Sequence, residues 1–87
     1  MIAYVLFNKG SENEGPAQEL ARRLEPEQVD VELTDADSPR GIQLATNYDI
    51  MARPAVALIR DDGSPVQIWQ GADQLPVPAD VGYLAHQ

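Results

Sequence analysis

The side chains able to do chemistry in this sequence are few, and the most reactive class is missing. The chain has no cysteine, which removes disulfides, thiolate nucleophiles, zinc–thiolate sites and iron–sulfur ligation together. Its one histidine is His86, so a nucleophile–histidine–acid triad or a histidine-rich metal site would have to be built on that imidazole. Four aspartates fall in two close sets, Asp35/Asp37 and Asp61/Asp62. A hard cation needs six or more converging oxygens, and neither spacing matches a calcium loop. These sets read as a helix N-cap region and a turn. Neither glycine-rich phosphate cradle is present, and Trp69 reads as a sheet residue rather than a ligand platform. The residues that remain are Ser11, Glu14 with Gly15 and Pro16 behind it, and Arg53 with Pro54 behind it. A carboxylate in the first turn of a helix meets the positive end of the helix dipole. An arginine can pair with that carboxylate or with an anionic ligand. No cofactor and no metal is implied.

The surrounding composition narrows the partners. The 87 residues, 44% of them hydrophobic, suit one globular domain over 1–87 with a modest core. The formal charge is −8, from 14 acidic and 6 basic residues. Such a surface repels phosphate backbones, which argues against nucleic acid, and it favours solubility and basic partners. No apolar run approaches the roughly 18–20 residues of a membrane helix. Met1 leads directly into Ile2–Phe7 with no basic n-region, which is unlike a signal peptide and makes the cytoplasm the expected compartment.

The elements that must position these residues follow from periodicity. Ile2–Phe7 is a continuous apolar run of the kind buried on both faces of a sheet. Ala17, Leu20, Ala21 and Leu24 define one face of a helix. Ser11 and Glu14 have the form of a capping box, but Asn13 as N-cap keeps Pro16 within the first turn, where no donor is needed; the later start is preferred. Pro26 lies just beyond the helix end. Val29, Val31 and Leu33 alternate with Asp30, Glu32 and Thr34 as a strand with one polar face. Asp37 or Ser38 then caps a helix that opens at or near Pro39 and carries Ile42, Leu44, Ala45 and Tyr48. Ala55–Ile59 is a second buried strand. Asp62-Gly63 turns the chain into a returning strand with Val66, Ile68 and Gln70 on one face and Gln67 and Trp69 on the other. Pro78 opens a short last helix. The order β-α-β-α-β-β-α gives an α/β fold with a four-stranded mixed sheet flanked by helices.

That order, together with Tyr48-Asp49-Ile50-Met51-Ala52-Arg53-Pro54, the apolar strand, Asp61-Asp62-Gly63 and Gly71-Ala72, resembles the thioredoxin and glutaredoxin superfamily over essentially the whole chain. The resemblance implies a thioredoxin-like fold and a cis Arg53–Pro54 bond. It also places Glu14-Gly15-Pro16-Ala17 where thioredoxins carry Cys-Gly-Pro-Cys; a glutaredoxin-like register would put Ser11 and Glu14 there instead. Neither register supplies a sulfur, so dithiol exchange is not expected.

The function expected from these residues is a redox-inactive binding module. A protein or peptide partner would meet the former active-site surface built from Ser11, Glu14, Gly15, Pro16, Arg53, Pro54 and Gly71. In the family that surface accepts an extended segment in the manner of strand addition. The alternatives are a small acidic structural subunit of a complex and, third, a glutathione-binding protein acting through the hydroxyl of Ser11 or Tyr4. The oligomeric state is not implied.

Overall fold

A computed structural model describes residues 1–87. The first apolar run forms strand β1 (Ile2–Phe7), followed by helix α1 (Glu14–Leu24), strand β2 (Asp30–Asp35), helix α2 (Pro39–Asn47), strands β3 (Ala55–Ile59) and β4 (Pro65–Gln70), and helix α3 (Pro78–Ala85). Short 3-10 turns stand at Glu25–Glu27 and Ala72–Gln74. The strands make one mixed sheet in the order β2-β1-β3-β4. β1 runs parallel to β2, across the α1 connection, and antiparallel to β3, which pairs antiparallel with β4. The α/β architecture with a four-stranded mixed sheet is as expected from the sequence.

Strand pleating divides the apolar side chains between two cores, because successive residues point to opposite faces. On one face Ala3, Val5 and Phe7 of β1 and Val56 and Leu58 of β3 pack with Ala17, Leu20 and Leu24 of α1 and Val81 of α3. On the other, Leu6, Ala55, Ala57 and Ile59 pack with Leu44 of α2 and Ile50. Each fully buried aliphatic side chain contributes about 1.5–3 kcal/mol by leaving water. Close approach of α2 depends on a glycine. A Cβ on Gly41 would stand 2.1 Å from the Asp35 carbonyl oxygen and 2.7 Å from Ala36 Cα. Ser38 caps this helix, its Oγ accepting from the Gly41 N–H at 3.1 Å, and Pro39 occupies the first turn.

Three sequence expectations are corrected by tertiary packing. First, Leu33 is exposed and Thr34 is buried, reversing the simple alternation of β2. β2 is an edge strand, and the α1 side of the sheet covers Val29 and Val31 but does not include Leu33 in its cluster. Second, Val66 and Ile68 lie on opposite sides. The pairing steps from Leu58↔Gln67 to Ile59↔Pro65, so Val66 is the extra residue of a bulge; it packs with Trp69 against the α1–α3 core, while Ile68 packs against the α2 core. Third, Ile42 is exposed rather than part of the buried face of α2, where Gly41 and Leu44 are the buried positions.

On the outer edge, Glu32 accepts from Arg40 (3.2 Å) and from the Thr34 hydroxyl (3.1 Å). The Arg40 hydrogen bonds, helped by Thr34, hold its carboxyl below the usual 4.5. A carboxyl lowered in the folded state contributes stability above its unfolded value and loses that contribution as pH falls through its folded value. The contribution is small because the pair is partly exposed. In an NMR titration the Glu32 midpoint is expected below 4.5 in the native chain and closer to that value in Arg40→Gln; an unchanged midpoint would show that Arg40 does not hold it.

Candidate functional site

Two polypeptide segments meet at the carboxyl end of β1: the loop leading into α1 and the loop leading into β3. The first is locked by its own side chains. The Asn8 N–H donates to Asn13 Oδ1 (2.8 Å), Asn13 Nδ2 donates to Asn8 Oδ1 (3.2 Å), and Ser11 Oγ donates to the Asn8 carbonyl (2.6 Å). Asn13 stands at the N-cap, as expected, but its side chain closes this loop and makes no capping bond to the helix. Glu14 reaches back, one carboxylate oxygen accepting from the Gly10 N–H at 2.7 Å and the other from Gln18 Nε2 at 3.2 Å. Both oxygens are thereby occupied locally, and Glu14 has no salt bridge with Arg53. The pairing of these two residues considered from the sequence does not form.

The second segment is held by a residue that sequence reasoning did not single out as functional. Gln70, at the end of β4, accepts with Oε1 from the backbone N–H groups of Met51 (2.7 Å) and Ala52 (3.2 Å). The Arg53–Pro54 bond is cis. The Pro54 carbonyl accepts from the Gly71 N–H at 2.9 Å, which extends the β3–β4 ladder by one bond. Gly71 has φ +92°, a region in which glycine avoids the Cβ penalty. The adjacency of Gln70 to this ladder end is the signal that would have found it.

Where the two segments meet there is a cleft of about 280 Å³ lined by Glu12, Asn13, Pro16, Arg53, Pro54 and Ala72. Of the residues expected at the site, Pro16, Arg53 and Pro54 therefore share one surface, and Gly71 supports it through its bond to Pro54. Ser11, Glu14 and Gly15 lie at the start of α1 but do not line the cleft. Glu12, Asn13 and Ala72 line it without having been expected. Tyr4 is elsewhere, its hydroxyl accepting from Arg40 at 3.4 Å.

Arg53 also borders a second cleft of about 370 Å³, formed by Ile42, Ala45 and Thr46 of α2 with Asp49, Ile50 and Met51. Arg53 thus stands between two depressions. A third depression of about 220 Å³ lies between β4 and α3, with Gln67, Trp69, Asp80, Tyr83 and Leu84 around it; it has no cationic side chain. No group of three or more histidine, aspartate and glutamate side chains is placed to hold a metal ion, and no helix is long and apolar enough to cross a membrane. The Arg53 guanidinium thus stands beside the Pro16 and Pro54 rings on one side and the Ile42 and Met51 side chains on the other. The chain matches no family model, no curated protein and no solved structure.

Proposed function

We propose that this chain is a thioredoxin-like binding module without redox chemistry, and that a protein or peptide partner seats in the cleft between the first turn of α1 and the Arg53–Pro54 step. The single observation that carries the reading is that Pro16 lines one cleft with Arg53 and Pro54, which are far from it in sequence. The sheet order β2-β1-β3-β4, with Pro54 at the head of β3, supports the likeness to thioredoxins. The absence of cysteine removes the dithiol step. Locking of Ser11 and Glu14 by local hydrogen bonds favours a rigid, preorganised rim, which lowers the entropic cost of binding.

The test uses substitutions that change the cleft and spare the fold. Ala72 is exposed and lines the cleft, so Ala72→Trp fills the space from outside the core. A partner copurified with the chain is expected to bind Ala72→Trp about tenfold or more weakly, since an interface lost to steric blockage forfeits its central contacts. Gln70→Ala, which frees the Met51 and Ala52 N–H groups, is expected to weaken the same partner less. Binding that is indifferent to both would place the partner elsewhere on the molecule.

A further inference from the structure

Arg53 is the cation that this acidic chain leaves unpaired at its cleft. Its Nε is covered and has no hydrogen-bond partner, and the residue as a whole is half-buried. Arg22, Arg23 and Arg40 all pair with carboxylates. Arg53 has no such pair, although the chain has 14 acidic residues and Asp49 borders the same cleft. A guanidinium partly withdrawn from water has lost hydration without gaining an ion pair, so an incoming carboxylate gains more from it than from a fully solvated arginine.

The ground next to Arg53 is apolar and open. Ile42 is 55% exposed and Met51 82%, and both border the cleft that Arg53 closes. These are large side chains left in water on two different elements, α2 and the loop before β3. Met is also well suited to adapt its shape to an incoming apolar group. Arginine and methionine are enriched among residues that bind partner proteins.

We propose that the Ile42–Met51–Arg53 groove docks a partner-protein segment in which an apolar side chain lies next to a carboxylate, the apolar group entering between Ile42 and Met51 and the carboxylate closing on Arg53. The flanks of that segment are neutral or basic, because the chain's net charge of −8 repels further acid. This inference rests on the reading of the chain as a binding module and extends its surface across Arg53 into the neighbouring groove.

Selection of a displayed random dodecapeptide library on the immobilised chain, followed by affinity measurement of the enriched peptides, tests it. The native chain is expected to enrich an apolar residue beside Asp or Glu. Those peptides should bind Arg53→Gln and Met51→Asp about tenfold more weakly, the scale of one charge-assisted hydrogen bond or one lost apolar anchor. Arg53→Glu should enrich Lys or Arg in place of the acid, an exchange that a merely structural role for Arg53 does not produce. Ile42→Asp and Met51→Asp lie at exposed positions, so they report on the groove even if an Arg53 variant does not fold. Failure to enrich any motif, a motif without an acid, or affinities untouched by Met51→Asp and Ile42→Asp would overturn the proposal. Peptides blocked by Ala72→Trp but not by Met51→Asp would overturn it while leaving the Pro16–Pro54 cleft as the binding site; peptides indifferent to all of these would count against both. A dimer in sedimentation that Met51→Asp dissociates would show a second copy as the occupant and overturn it equally.

Discussion

Gly41→Ala is expected to destabilise the protein by about 3 kcal/mol, the upper part of the usual range for overpacking a tight contact. The added Cβ would lie 2.1 Å from the Asp35 carbonyl oxygen, 2.7 Å from Ala36 Cα and 2.9 Å from the Ala36 carbonyl carbon. All three neighbours are backbone atoms at the end of β2, so no side chain can swing aside. Relief requires α2 to move off the sheet, which opens the core around Leu44 and Ala57 and weakens the Ser38 cap on the Gly41 N–H. For a domain of this size a loss of that order lowers the melting temperature by roughly 12–24 °C. Gly15→Ala is the internal control. Gly15 lies in the first turn of α1 and a Cβ there would meet nothing within 4 Å, so alanine there is neutral or stabilising by up to about 1 kcal/mol through helix propensity. Thermal unfolding of the two variants checks the contrast. Equal effects would mean that α2 does not sit as close to β2 as described.

Leu58→Ala is expected to cost about 2–5 kcal/mol, the range for truncating a fully buried leucine. Leu58 is 0% exposed on a central strand, and it packs in the core shared by α1, α3 and the sheet. The chain has no disulfide to offset the loss, and a domain of under 90 residues has little reserve. Ile42→Ala and Met51→Ala, at exposed positions, are expected to shift stability by no more than about 0.5 kcal/mol. Urea denaturation of the three variants measures this separation. A cost at Met51 comparable to that at Leu58 would mean that Met51 serves the core, and its exposure would no longer mark a docking surface.

These effects also mark where the sequence was legible. The Ser38–Pro39 helix start, the Asp62-Gly63 turn and the apolar runs of β1 and β3 are set by local chemistry, and each stands where its residues place it. Gly41 was silent because its role depends on how closely α2 approaches a strand end, which no periodicity encodes. The bulge at Val66 is likewise a property of pairing: it adds one residue to β4 between the partners of Leu58 and Ile59 and moves Val66 to the other face. Leu33 and Thr34 exchanged their expected burial because β2 lies at the edge of the sheet.

At the site, the Glu14-Gly15-Pro16 and Arg53-Pro54 segments were readable as polar or rigid punctuation before and after apolar elements. Periodicity alone does not bring them together, since that requires the β1–β3 register; the expectation of a shared surface came from the thioredoxin resemblance, and of the first segment only Pro16 lines the cleft. Glu14 stands in the first turn of α1, as its type and position imply, but the pairing with Arg53 that the sequence left open does not form. A carboxylate at a helix start and a distant arginine look complementary on paper, yet Gly10 and Gln18 are nearer along the chain and take both of its oxygens. Arg53 is left as the cation that borders both clefts.

The proposed binding surface is tested most directly by calorimetric titration of the chain against its copurified partner, comparing the native sequence with Ala72→Trp and Arg53→Gln. Both variants are expected to keep the native melting temperature within a few degrees and to lose about tenfold or more in affinity. Native-like affinity in both variants would contradict this, and would move the function of this protein away from the Arg53–Pro54 surface.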